Sequence, residues 1–167
     1  MTTFRIDPNT SKVWIEARSS LHPIHGEATG LEGWIEADVT DGRVDFGDTP
    51  KIQVELAVDR LKSGNALEDA ELQRRIHAKR FPTIRGEVRK IEQTDGGRYP
   101  VRGDLTFHGV TRLVEGDVSV NVDGDSLVVE GEQTFDIREF GVDPPKILML
   151  KVHPDVKVRV RVVAEPE

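Results

Sequence analysis

Five histidines and thirty acidic residues are the groups from which this chain could assemble acid–base or metal chemistry, because imidazole titrates near neutrality and a carboxylate can orient it. His22 and His25 stand three apart with Pro23 between them. That spacing could clamp a metal if a third ligand came from elsewhere, although proline favours a loop or a strand end there. His108 lies in His108-Gly109-Val110-Thr111. It could act as a general base, but no nucleophile or orienting carboxylate stands nearby at a recognised spacing. Gly109 more simply supplies the backbone freedom of a sharp bend. His77 and His153 show no local ligand pattern, and no HExxH, calcium loop, GxSxG elbow, P-loop or Rossmann glycine fingerprint occurs. With no cysteine, disulfides, thiolate metal sites and thiol nucleophiles are excluded. The sequence therefore assigns no catalytic residue, no metal and no resident cofactor, and an enzyme is not expected. A small hydrolase or isomerase using His22, His25 or His108 is the competing reading.

The elements that would position such groups are strands. Period-two alternation places one set of side chains on each face of an extended chain, and it recurs throughout. Val13, Ile15 and Ala17 alternate with Trp14, Glu16 and Arg18. The same pattern holds for Ile52, Val54, Leu56 and Val58, for Val118, Val120 and Val122, and for Val156, Val158, Val160 and Val162. Asp41-Gly42, Asp95-Gly96-Gly97 and Asp123-Gly124-Asp125 separate the runs and suit hairpins, because Asp and Gly tolerate positive φ. Such a meander must bury its apolar faces against a second sheet or close on itself, so sandwich and barrel are both open at this point. Closure would let the charged run VKVRVRVV pair with the chain's beginning. Residues 66–82, ALEDAELQRRIHAKRFP, break the pattern: good helix formers, Leu72 and Ile76 four apart, and acids leading bases predict one short helix over a barrel end, stopped near Phe81-Pro82. DPPKILMLKV, from Asp143, reads as a loop and then an apolar run of either state.

At 167 residues one domain, residues 1–167, is expected. A net charge of −7 argues against a nucleic-acid partner, which needs a basic footprint. The 23 basic residues are interleaved with 30 acidic ones, which leaves room for a local basic face. There is no apolar stretch of about 18 residues to span a bilayer. The N-terminal MTTFRIDPNTSKVW has no basic region followed by an apolar run, and the chain is read as cytoplasmic. Inward positions are mostly Val, Ile, Leu, Ala and Gly. In a barrel of about eight strands such side chains could leave an apolar cavity for a small ligand, or could fill it to a dry core; composition leaves the two level.

FRIDPNTSKVWIEA, LKSGNALEDAEL, RFPTIRGEV, VRGDLTFHGVTR and FDIREFGV follow one another along nearly the whole chain. In that order they resemble the successive signatures of the YceI-like family of bacterial polyisoprenoid-binding, lipocalin-like proteins. The resemblance implies an all-β fold, an eight-stranded antiparallel lipocalin-like barrel with one short helix covering a barrel end. It also implies a homodimer and a long isoprenoid or isoprenoid-quinone amphiphile in the lumen, a bound lipid rather than a cofactor. Two departures fall near a barrel end: Ser19 stands where members commonly carry a histidine, and the link from Leu72 to Phe81 looks about two residues short. Strand parity assigns Val13, Ile15, Leu56, Val58, Ile84, Val101, Leu105, Phe107, Val120, Phe135 and Ile137 to the lumen wall, and His108 and Arg138 are the polar motif positions expected to meet a head group. Fatty acids or fatty amides bury a similar area and are the alternative ligands. An empty dimeric barrel serving protein contacts alone is the third expectation.

Overall fold

The computed structural model describes residues 1–94, 96–144, 146–147 and 150–167. The alternating runs are strands: β1 (Thr2–Ile6), β2 (Lys12–Ser19), β3 (Pro23–Ala28), β4 (Glu32–Thr40), β5 (Arg43–Asp45), β6 (Ile52–Ala57), β7 (Thr83–Ile91), β8 (Arg98–Phe107), β9 (Val110–Asp123), β10 (Ser126–Asp136), β11 (Lys146–Ile147) and β12 (Leu150–Pro166). One helix, α1 (Ala66–Arg75), lies between β6 and β7. The choice between sandwich and barrel falls to closure: 8 strands form a closed antiparallel barrel, ordered β1, β4, β6, β7, β8, β9, β10, β12 and back to β1.

β12 holds the closure together. Its 17 residues pair on one edge with β10, from Leu127↔Ala164 to Asp136↔Asp155. On the other edge they pair first with β2 and then with β1. Where β1 ends and β2 has not begun, Ser11 fills the ladder: the Val163 amide donates to its Oγ at 2.9 Å, and Oγ donates to the Val163 carbonyl at 3.3 Å. This accounts for a fully buried serine, since a buried polar group needs its partners.

The turn signals act as expected. His108 (φ 55°) and Gly109 (φ 72°) form a two-residue turn between Phe107 and Val110, the double positive-φ geometry that follows the natural twist of a hairpin. A Cβ on Gly109 would stand 2.6 Å from the Phe81 ring, so glycine is also needed for room. Asp41 and Gly42 make the equivalent turn between β4 and β5. Asp95 lies outside the described residues, as do Pro145, Leu148 and Met149 of the run after Asp143.

Two boundaries differ from the sequence reading. The helix stops at Arg75 instead of continuing toward Phe81, because His77 takes the left-handed conformation at φ 51°. The His77 amide then donates to the Arg74 carbonyl at 3.3 Å and the Ala78 amide to the Gln73 carbonyl at 3.0 Å, which satisfies carbonyls left open at a helix end. β6 likewise stops at Ala57, and Val58 opens a 3-10 turn over Val58–Arg60 in place of a fourth strand position. The Val58 carbonyl accepts from Gln73 Nε2 at 2.8 Å, which ties α1 to the barrel.

The barrel's two ends are closed differently. At one, β5 and the residue after it fold beneath the strands, and Val44 and Phe46 are buried with Phe4, Ile6, Ile35, Tyr99 and Leu127. Phe46 meets Tyr99 edge to face at 5.6 Å, and Tyr99 Oη donates to the Val44 carbonyl at 3.3 Å. This end is plugged. At the other end lies α1, none of whose residues is fully buried. Asn65 caps it, its side-chain oxygen accepting from the Leu67 and Glu68 amides at 3.0 and 3.2 Å.

Candidate functional site

Beneath α1 the barrel is hollow. A cavity of about 360 Å³ runs between the inward faces of β2, β6, β7, β8, β10 and β12, within the usual range of small-ligand sites. Its wall is mainly aliphatic and aromatic, with Glu55, Lys62, Ser63, Glu68 and Asp69 as its charged or hydroxyl-bearing residues.

Of the residues assigned by parity, Val13, Ile15, Leu56, Ile84, Leu105, Phe107, Phe135 and Ile137 border this cavity. Val58, Val101 and Val120 do not. Val58 has left the strand and packs with Ile76 and Val142. Val101 and Val120 stand toward the plugged end, Val101 opposite Ile91 and Val120 in the core cluster with Tyr99 and Leu127. Alternation specifies a face, not a height along the axis, so residues of correct parity were placed too far down. The lining also includes Leu72 and Ile76 beneath α1, and Val152, Val156, Val158 and Val160 along β12. The four-residue spacing and the valine alternation were visible in the sequence and would have found both groups.

The two polar motif positions do not reach the lumen. The Arg138 guanidinium is exposed and closes on Asp136, with Nη2 to Oδ2 at 2.6 Å. That hydrogen bond holds the Asp136 carboxyl below its ordinary value and raises Arg138. His108 donates Nδ1–H to the Phe140 carbonyl at 3.1 Å. Its ring lies edge-on to Phe81 at 4.9 Å and stacked on His77 at 5.5 Å, and its Nε2 is buried with no hydrogen-bond partner among the described residues. His108 thus fastens the residues after α1 to the β8–β9 turn. His22, with Nδ1 bonded to the Pro23 carbonyl at 3.0 Å, and His25 lie on the β2–β3 hairpin. The structure does not bring the three histidines together. Among the described residues no group of three His, Asp or Glu could hold a metal.

β3 pairs with β2 on one edge and on the other meets the segment before α1 along a short seam at Glu27↔Lys62, where each amide donates to the other's carbonyl, at 2.9 and 3.0 Å. A second depression of about 600 Å³ lies outside this seam, between Trp14, Glu16, His25, Lys62, Lys157 and Arg159, and Ile15, Gly26, Lys62 and Ser63 line both it and the cavity. The seam therefore separates the lumen from a charged outer surface. Ser63 stiffens the seam, its amide and Oγ both donating to Asp69 Oδ1 at 2.8 and 2.7 Å. Ser19, at the position where the resemblance leads one to expect histidine, shapes the neighbouring hairpin: Oγ donates to the His22 carbonyl and accepts from the His22 amide.

A YceI-like domain model matches residues 4–164. Among solved structures the chain is similar to Burkholderia cenocepacia BcnA, with 19% identity over 95% of this chain and 98% of that one at a TM-score of 0.80. It is similar also to a polyisoprenoid binding domain from Saccharophagus degradans implicated in plant cell wall breakdown, at 10% identity, full coverage of both chains and a TM-score of 0.78. A Campylobacter jejuni YCEI protein aligns at 17% identity over 85% of this chain and 84% of that one, TM-score 0.67. No curated protein sequence matches the chain.

Proposed function

The chain belongs to the YceI-like family, and on that premise we propose that it binds the apolar tail of a long amphiphile, of polyisoprenoid or isoprenoid-quinone type, in the covered half of its barrel. The observation that carries this reading is the cavity of about 360 Å³ with its mainly aliphatic and aromatic wall. Each CH₂ taken from water into such a space contributes about 0.8 kcal/mol, with no directional contact required. Selectivity among tails is accordingly low, and fatty acids compete. The tail occupies the lumen while the polar group lies toward the covered end, where Lys62, Glu68 and Asp69 line the cavity. The binding domain from Saccharophagus degradans supports the same class of ligand. Nothing in the arrangement of His22, His25 and His108 favours turnover.

Native mass spectrometry of the gently purified protein tests the reading. A co-purified lipid mass is expected, and Leu105→Trp, which fills the cavity from β8, should remove it while leaving the circular dichroism spectrum unchanged. No added mass on the wild-type protein after incubation with a polyprenyl lipid, or a lipid mass retained by the folded variant, overturns it. The same spectra read the oligomeric state, for which the family resemblance leads to a homodimer.

A further inference from the structure

Charge is divided unevenly between the barrel's ends. The segments that build the covered end, residues 17–24, 58–82, 107–112, 136–144, 146–147 and 150–153, hold 11 Lys and Arg against 7 Asp and Glu, whereas the rest of the chain holds 12 against 23. A protein of net charge −7 thus carries a positive face on the end that opens into the cavity. Some of those cations are already engaged: Arg74 and Arg75 with Glu71, and Arg138 with Asp136. Arg18, Lys62, Lys79 and Lys151 are exposed, and no ion pair is formed by any of the four among the described residues. Acids share the face too, Asp59, Glu68, Glu139, Asp143 and Asp155 forming no ion pair among the described residues, so the excess is local and moderate.

Two large apolar side chains project from the same end. Leu21, at the tip of the β2–β3 hairpin, is 78% exposed, and Leu67, in the first turn of α1, is 68% exposed. An isolated exposed leucine is ordinary. These two flank the cavity's covered end, and each is held outward by a built turn: Ser19 closes the hairpin beneath Leu21, and Asn65 accepts from the Leu67 amide.

We propose that this end docks on the surface of an anionic lipid bilayer, with Leu21 and Leu67 entering the interface and Arg18, Lys62, Lys79 and Lys151 facing the lipid phosphates. A basic face with a few large apolar residues is the composition that binds such surfaces, by adding apolar burial to electrostatic attraction. The acidic remainder of the barrel is repelled by the same surface, so the charge division also orients the protein with its covered end down. Docked in that pose, the covered end of the lumen faces the bilayer, and a tail would pass between them with little exposure to bulk water. The inference rests on the lumen being the tail site, but the docking itself can be measured separately.

The test is co-sedimentation of the full chain with vesicles of phosphatidylcholine alone and of phosphatidylcholine with about one quarter phosphatidylglycerol, at low salt and at about 0.5 M salt, where screening is nearly complete. Binding to the anionic vesicles alone, abolished by salt, is expected. Lys79→Glu with Lys151→Glu should lower the bound fraction at least about fivefold, since each cation near an anionic surface adds measurably to attachment. Lys51→Glu with Lys90→Glu, the same charge change at the plugged end, should leave it within about twofold. Leu21→Ser with Leu67→Ser should weaken binding to the anionic vesicles at low salt. The absence of binding to anionic vesicles, equal binding to neutral ones, or equal loss from both charge reversals would overturn the proposal; the last outcome would reveal dependence on net charge alone. Leu105→Trp should dock like the wild type. If it does while neither protein carries lipid in native spectra, docking stands and the lumen reading fails; lipid in the wild-type spectra without any docking overturns this inference alone.

Discussion

At the plugged end of the barrel Phe46 and Tyr99 meet edge to face beneath the strands, whereas at the covered end the space between Leu105 and Val158 is left empty. The strands are the same ones; what differs is what the loops deliver. β5 turns back under the barrel and contributes Val44 and Phe46, both nearly inaccessible to solvent. α1 reaches over the opposite opening and contributes only Leu72 and Ile76 to the space below. Small inward residues at that level, among them Ala17, Gly26 and Gly86, leave the rest unfilled. A single alternating pattern can thus support a close-packed core at one height and a container at another, with loop side chains making the difference.

Substitution should expose the contrast. Leu127→Ala, at a side chain with 0% exposure, removes packed volume and should lower stability by about 2–5 kcal/mol in urea unfolding. Leu105→Ala in the hollow half, facing space already empty, should cost about 1 kcal/mol in the ligand-free protein. Equal losses would erase the distinction between the halves. A smaller effect sharpens it from the cover's side. Asn65→Ala removes the cap of α1 and should cost about 1 kcal/mol, read as faster hydrogen exchange of the α1 amides and faster lipid release, with exchange at the plugged end unchanged.

The least effect is expected from acid. The Asp136 carboxyl is held below its ordinary value of 3.8 chiefly by the hydrogen bond from Arg138, so the folded state binds its proton less tightly than the unfolded chain does. The resulting stabilisation is complete above the unfolded value and fades as pH falls through it toward the lower folded one. Because Arg138 is exposed and Asp136 only half-buried, screening keeps the contribution small. In an NMR titration Arg138→Ala should return the Asp136 midpoint upward, and lipid retention at neutral pH should not change.

Much of this architecture could be read from residue order. Alternation identified the strands and their inward faces, and His108-Gly109 and Asp41-Gly42 marked two tight hairpins, because these features depend on local stereochemistry alone. Height along the barrel axis did not follow, which is why Val101 and Val120 were placed at the cavity and stand below it. The plug by Phe46 was hidden for a related reason: a long-range contact with Tyr99 leaves no periodic trace. The helix end was obscured by His77, since a left-handed residue at that position is usually glycine. His108 stands out as a chemical group, and its half-buried ring fastens neighbouring segments, a role that residue type cannot reveal.

The long strand β12 has a consequence for synthesis. It supplies the neighbours of β1, β2 and β10, so a nascent chain that has made everything up to residue 149 still lacks the stave that joins its earliest and latest segments. Until that stave emerges, β1, β2 and β10 present unsatisfied edges to other chains, the circumstance in which growing polypeptides are most prone to stick together. Assembly of the ring is then a non-local event that awaits the emergence of β12, and it should proceed at the unhurried pace of folds whose contacts span most of their length.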